Sequence, residues 1–366
     1  MKLGLRRLVV CVNALLLTSC SMDTTQVENQ FRVSTKIQHV WPESIDIDRF
    51  GNIYFTDAAE GTLCRIRRNK DNSLAQQEET LLKDFKRASG ISIDPIGQVL
   101  YMGVTIRFQG KTQYKIVGIP LEFFSTCQEF PYRFNSLKEC AKLNNIEIVE
   151  TAISNVPNGV IFDSKQQLTF YTYIRLGILA FVFKLEGHIG KMPVKTDVKV
   201  KIIHNIRSPN GIDLDRSDPG TVLVVTATLD NAVKRIRVSE EKTEEMLTIS
   251  LQKSGGKSPR HLPDGLICLE NGDILVAAFG SGQILYLAKD GDQYRGPFKL
   301  AEGLGHPTDL VLGLSSQNRT RSLFVTTKEA WLIPFKSIAK GKVVEVPYID
   351  TLIKEKKSQI GIIENF

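Results

Sequence analysis

One phrase recurs six times along this chain, and that recurrence limits the fold more than any other feature. Its fullest copy is Pro263-Asp264-Gly265-Leu266-Ile267-Cys268, then Asn271-Gly272, then Ile274-Leu275-Val276-Ala277-Ala278. It reads as strand, tight turn, strand, because both central residues of a type I′ turn need positive φ, which Asn-Gly supplies. The other copies open at Glu43, Gly90, Asn158, Asn210 and Thr308, so that successive openings lie 44 to 68 residues apart. Self-similarity on this scale marks a repeat architecture. All-strand units of about 50 residues suit four-stranded propeller blades. The expected fold is all-β, a six-bladed β-propeller. A two-sheet sandwich would need six ordered copies by accident.

A propeller lines its central channel with the first strand of each blade. Glu43, Asn158, Asn210 and Asp264 stand at the starts of four such strands. Two carboxylates and two amides form an oxygen-rich set of net charge −2. That chemistry suits a hard divalent cation, Ca²⁺ most naturally. No His/Cys set competes for a softer metal. A central metal-binding channel is therefore expected.

The ordered set Glu43, Pro157-Asn158-Gly159, Pro209-Asn210-Gly211 and Pro263-Asp264-Gly265 resembles the senescence marker protein/gluconolactonase family, over roughly residues 38–345. The resemblance implies a propeller hydrolase of lactones or related esters with a catalytic divalent metal in the channel. By position, Glu43, Asn210 and Asp264 would ligate the metal, and Asn158 would ligate it or orient substrate. Asp264 would also activate water or act as nucleophile. Two features depart from the family pattern: Ser44 stands where Gly is usual, and Phe279-Gly280-Ser281-Gly282 where Trp-Gly-Gly is frequent. Pro42-Glu43-Ser44 is also similar to strictosidine-synthase-like propellers. The paraoxonase version lacks the His dyad expected in blade two. A non-catalytic propeller that binds a ligand or an envelope partner is the reading from another class.

The ends of the chain read differently from its middle. Lys2, Arg6 and Arg7 precede an apolar run from Leu8 to Leu17, too short to span a bilayer. Leu17-Thr18-Ser19-Cys20 resembles the bacterial lipobox, which implies cleavage before Cys20 and lipidation there. Ser21 at the next position favours the outer membrane, facing the periplasm. Residues 1–19 are thus read as a signal peptide, 20–36 as lipidated cysteine and tether, 37–350 as the propeller and 351–366 as a C-terminal tail. The Lys354-Glu355-Lys356-Lys357 run is read as solvated. Formal net charge is +7, and the signal peptide carries three of those charges, which leaves too little to argue for nucleic acid.

Further features bear on chemistry. Cys127 and Cys140 are candidates for a disulfide in an oxidising compartment, with two separate thiols as the alternative. They lie in an aromatic-rich insertion with Phe123, Phe124, Phe130, Tyr132 and Phe134. Two placements fit that insertion: a cap over the channel mouth, or packing on a blade flank. His306 opens blade six and is a candidate for proton transfer, although a histidine at a strand entry also serves structure. The absence of a Gly-x-Ser-x-Gly phrase disfavours a serine hydrolase. The expected partner is a small lactone or ester.

Overall fold

The computed structural model describes residues 32–36, 41–126, 132–174, 186–193, 201–239, 242–252, 260–315, 320–328 and 341–362. Arg32–Lys36 (β1) precedes the first blade, which contains Pro42–Ile47 (β2), Ile53–Asp57 (β3), Thr62–Ile66 (β4) and Glu79–Lys83 (β5). Blade two contains Arg87–Ile93 (β6), Val99–Phe108 (β7) and Lys111–Pro120 (β8). After an insertion of Phe123–Thr126 (α1), Tyr132–Arg133 (β9) and Phe134–Leu143 (α2), it ends with Val149–Ile153 (β10). Val156–Asp163 (β11), Leu168–Ile174 (β12), Glu186–Pro193 (β13) and Lys201–Arg207 (β14) make blade three. Pro209–Leu214 (β15), Thr221–Ala227 (β16), Ala232–Val238 (β17) and Thr243–Ser250 (β18) make blade four. Pro263–Cys268 (β19), Ile274–Ala278 (β20), Gln283–Asp290 (β21) and Gln293–Glu302 (β22) make blade five. His306–Leu314 (β23), Arg321–Lys328 (β24) and Lys342–Val346 (β25) belong to blade six, and Ile349–Gln359 (α3) follows.

The all-β six-bladed propeller is the observed fold. The first strands β2, β6, β11, β15, β19 and β23 pack against one another in turn, and β23 returns to β2, so they form the inner ring. A four-stranded blade cannot bury both of its faces alone, so the apolar side chains meet between blades. Each of the six interfaces has its own cluster. Ile45 and Phe55 meet Phe324 between blades one and six, and Val224 meets Leu266 and Val276 between blades four and five.

Two boundaries differ from the sequence reading. β1, inside the stretch read as tether, pairs antiparallel with β25 and supplies the fourth strand of blade six. Ring closure explains this: without β1, the outer edge of β25 would leave its backbone groups unpaired. The segment read as a solvated tail includes α3, which buries Ile349 and Ile353 in the cluster between blades five and six. Lys357 is buried as well, with its Nζ 2.9 Å from Asp273 Oδ2. A buried carboxylate elsewhere in the fold recruits a lysine that looked like one of a solvated run.

The aromatic insertion packs on the flank. Phe123, Phe124 and Tyr132 are buried in the cluster between blades one and two, and β9 pairs in parallel with β5 at the outer edge of blade one. Phe130 and Cys127 lie outside the described residues, as does Cys20 with the whole N-terminal segment. Cys140 is disulfide-bonded, whereas Cys64 and Cys268 are buried thiols. Among the described residues no helix is long and apolar enough to cross a membrane.

Candidate active site at the channel entrance

Every blade opens with the same irregularity. Pairing of the first strand with the second slips between Pro42 and Ile45, Ala88 and Ile91, Pro157 and Val160, Pro209 and Ile212, Pro263 and Leu266, and Pro307 and Asp309. A bulge leaves its extra residue out of the ladder and re-aims the side chain, here at the channel entrance. The bulged positions are Glu43, Ser89, Asn158, Asn210, Asp264 and Thr308. Blade two is therefore aligned through Ser89 rather than Gly90. Glycine follows at Gly90, Gly159, Gly211 and Gly265 for a packing reason. A Cβ on Gly90 would stand 2.2 Å from the Asn158 carbonyl oxygen, and one on Gly159 2.5 Å from that of Asn210. Ser44 takes this place in blade one. Its hydroxyl donates to Asp309 Oδ2 at 2.6 Å and accepts from the Ile91 amide at 3.2 Å, which ties blades six, one and two together. The departure from glycine is thus a clasp.

Threonines on the second strands fix the bulges. Thr56 donates to the Ser89 carbonyl, Thr172 to that of Asn210, and Thr226 to that of Asp264. Thr308 donates to the Pro42 carbonyl at 2.8 Å, closing the circle. Each bond carries the position of one blade's ring residue to the next blade.

At the entrance itself Glu43 holds two cations. Its Oε2 lies 2.8 Å from Lys328 Nζ, and its Oε1 lies 3.0 Å from Arg87 Nη2. The side chains of Lys328 and Glu43 are only 4% and 9% exposed, while Arg87 is 38% exposed, so the pair is buried and the guanidinium reaches toward solvent. Lys328 Nζ also sits 4.2 Å from the centre of the Trp41 ring and 5.4 Å from that of Phe279. Burial pushes the Glu43 pKa up, but the charges of Lys328 and Arg87 outweigh it and hold that carboxyl below its usual range. Burial pulls the Lys328 amine below its usual range, with Glu43 and Asp264 opposing. Asp264 is buried in the same field. Desolvation first, and then the charge of Glu43, push its carboxyl well above the usual range. Two carboxyls at one mouth are thereby driven in opposite directions, a separation that lets one accept a proton while the other holds one.

The other expected site residues divide. Asn158 is buried at its bulge, with Nδ2 3.5 Å from the Pro209 carbonyl oxygen, and Asn210 is half-buried at the next bulge. His306 is the cross-strand partner of Lys328. Its Nδ1 lies 3.0 Å from the Phe279 carbonyl oxygen, and its ring lies against Phe279 with centroids 4.9 Å apart and planes tilted by 30°. It buttresses the aromatic wall over Lys328 and is thus placed to position that wall. Asp57, at the end of β3, ties turn amides of Ala59 and Glu60 at 2.8 Å.

As arranged, these side chains do not fit a divalent cation. Both Glu43 oxygens are already taken by cations of the chain itself, and an ammonium lies where a metal would need to approach. Among the described residues no three His, Cys, Asp or Glu side chains group together, and the carboxylates at this entrance number two, Glu43 and Asp264. Lys328 and Arg87 are the two residues that sequence reasoning missed. Arg87 stands two residues before the bulged Ser89, in the place Trp41 holds before Glu43, and offers a usable signal. Lys328, at the far end of a second strand, gave none.

A cavity of about 640 Å³ occupies the other end of the channel, lined by the inner strands beyond the bulges. Asp46, Asp213 and Asp309 stand there. Asp46 takes the Ile93 amide at 2.6 Å and Asp213 takes the Cys268 amide at 2.8 Å, each reaching into the next blade. Burial pushes Asp46 and Asp309 up to about 7. These carboxyls clasp blades. The chemistry-bearing ring is not in the wall of this cavity.

No family model matches the chain, and no curated protein matches it by sequence. Solved structures match by shape. A luciferin-regenerating enzyme superposes with TM-score 0.58 at 16% identity, over 84% of this chain and 91% of that one. A PQQ-bound aldose sugar dehydrogenase from Streptomyces coelicolor gives 0.56 at 12%, over 86% and 96%. A gluconolactonase from Xanthomonas campestris gives 0.51 at 12%, over 85% and 86%. At these identities the likeness is one of fold.

Proposed function

We propose that the channel entrance at Glu43, Arg87, Asp264 and Lys328 is the active site of a hydrolase of lactones or related esters. The observation that carries this reading is the burial of the Glu43–Lys328 ion pair at the channel mouth beside a second carboxyl, Asp264. A buried ion pair is weak evidence of stability, because desolvation offsets much of the attraction. Perturbed ionisable groups facing a cleft are a common mark of a catalytic site. The sequence resemblance and the gluconolactonase among the structural neighbours support a lactone or related ester as the class of substrate.

In that reading the carbonyl oxygen of the substrate faces Lys328, whose charge stabilises the oxyanion formed when water adds. Glu43 is ionised and takes the proton of the attacking water. Asp264 holds a proton and gives it to the leaving alkoxide oxygen. The product is a hydroxy acid, and a proton passed from Glu43 to Asp264 resets the pair. Asn158 and Asn210 orient the substrate from the adjacent bulges. No step is assigned to a metal.

The test is a panel of sugar lactones, acyl lactones and aryl esters with the purified domain, in chelator and in added CaCl₂. Turnover of a lactone or ester that survives the chelator is the expected result. Turnover that appears only with calcium overturns the metal-free chemistry. No turnover of any member favours the non-catalytic propeller.

We further propose that Cys20 is lipidated and anchors the domain to the outer membrane, facing the periplasm, and that Cys140 is bridged to Cys127 there. Metabolic labelling with palmitate in the bacterial host should mark the wild type and not Cys20→Ser. Equal labelling of both would exclude the anchor.

A further inference from the structure

We propose that this entrance recognises a substrate that carries a carboxylate, and that Arg87 and Lys328 occupy the role a divalent cation would have. The proposal rests on the hydrolase reading and deepens it by naming a substrate class. The ring residues taken alone predict a site of charge −2. The folded chain adds two cations to the two carboxylates, Lys328 from β24 and Arg87 from β6, both on Glu43. Fully ionised, the four groups sum to zero, and a proton on Asp264 makes them positive. Nothing in that balance attracts a divalent cation, whereas it tolerates a monoanion.

An independent observation points the same way. Among the described residues seven buried side-chain polar atoms have no hydrogen-bond partner, and three of them belong to Trp41 (Nε1), Arg87 (Nε) and Thr105 (Oγ1). Their placement is local. Arg87 and Thr105 face each other across β6 and β7, and the Trp41 ring covers Lys328. Each of the three can donate a hydrogen bond, and Glu43 already has a cation on each of its oxygens. Buried donors left unmatched cost stability, so native structures keep few of them without a reason. The three atoms themselves are closed to solvent, but the Arg87 side chain is 38% exposed, so a ligand carboxylate can reach that guanidinium and supply acceptor oxygens, which a metal ion cannot. Arg87 is the group best shaped for it, since a guanidinium recognises planar carboxylates and this one is partly open to solvent. A monoanion matches the charge, because each cation already shares its charge with Glu43.

The carboxylate could belong to the substrate or to the hydroxy acid that any lactone releases. The experiment separates the two. Calorimetric binding to the full mature protein would be measured for a γ-lactone bearing a ring carboxylate, its methyl ester, the hydroxy acid of an unsubstituted γ-lactone, and CaCl₂ alone. Turnover would be followed separately by proton release. The acid lactone is expected to bind at least about tenfold more tightly than its ester, as a charge-assisted hydrogen bond allows. CaCl₂ is expected to give no binding heat, and Arg87→Met should erase the acid-over-ester preference. Equal binding of acid and ester overturns the proposal. So does calcium binding to the wild type that Glu43→Gln abolishes. Tight binding of the simple hydroxy acid, equal to that of the acid lactone, assigns the donors to product and also overturns it. Preference for the acid lactone without turnover supports the carboxylate site and removes only the hydrolase reading. The wild-type comparisons stand even if the variant fails to fold.

Discussion

Lys328→Met is expected to lower kcat by about 10²–10³ on any lactone the protein hydrolyses, the usual loss for a group that stabilises a developing oxyanion. The ammonium sits in a dry place, between Glu43 and the rings of Trp41 and Phe279, where a charge acts more strongly than in water. Methionine keeps most of the apolar stem and removes the ammonium with its charge and its N–H donors. Glu43 then keeps Arg87 at 3.0 Å, so it is not stranded. The stability loss should stay at about 3 kcal/mol or less, below the cost of a fully orphaned buried charge. Lys328→Arg provides the contrast: it restores a cation for Glu43, but its planar fork does not reproduce an ammonium, so stability should recover more than turnover. Steady-state kinetics and urea unfolding read the two effects separately. Turnover within about threefold of wild type in Lys328→Met would remove the lysine from the mechanism.

Arg235→Met should destabilise the fold by about 3–5 kcal/mol without touching the channel entrance. Arg235 and Asp215 are ion-paired with side chains 4% and 0% exposed. Asp215 also accepts from the Ser217 amide at 3.1 Å and lies 4.0 Å from Lys289 Nζ, so it keeps some company when the guanidinium goes. That remaining company places the loss toward the lower end of the range. Arg237→Met is the control. Arg237 is half exposed and pairs with Asp218 at 2.9 Å, a solvent-screened contact worth about 1 kcal/mol or less. Urea midpoints of the two variants should separate clearly. Equal small losses would mean that the Arg235–Asp215 pair merely balances its own desolvation.

The repeat was legible because each blade must solve the same local problem. An apolar first strand, a tight turn and an apolar second strand recur wherever a blade is made, and the bulge keeps its Pro-x-Gly form in blades three, four and five. Glu43, Asn158, Asn210 and Asp264 could therefore be placed at the channel from sequence. In blade two Ala88-Ser89-Gly90 lacks the proline, so the glycine rather than the bulged serine carries the repeat. Ser44 read as a departure, yet its hydroxyl takes up the space and the hydrogen bonds that its position between blades six and two offers. His306 opens blade six in the sequence as in the fold, but only its neighbours show that its ring leans on Phe279.

The chain by itself determined the strand phrases, their number and the oxygen-bearing residues at their entrances, because strand alternation, turn chemistry and repeat length are local properties. Tertiary structure alone decided what those oxygens meet. Glu43 meets Lys328, which lies 285 positions away at the end of a second strand, and ring closure is what brings blade six beside blade one. The same closure draws β1 out of an apparent tether and makes it the last strand of the last blade. Ionic partners across a closed ring leave no trace in local pattern, and so a site that reads as an anionic cradle for a metal becomes, once folded, a carboxylate already holding two cations.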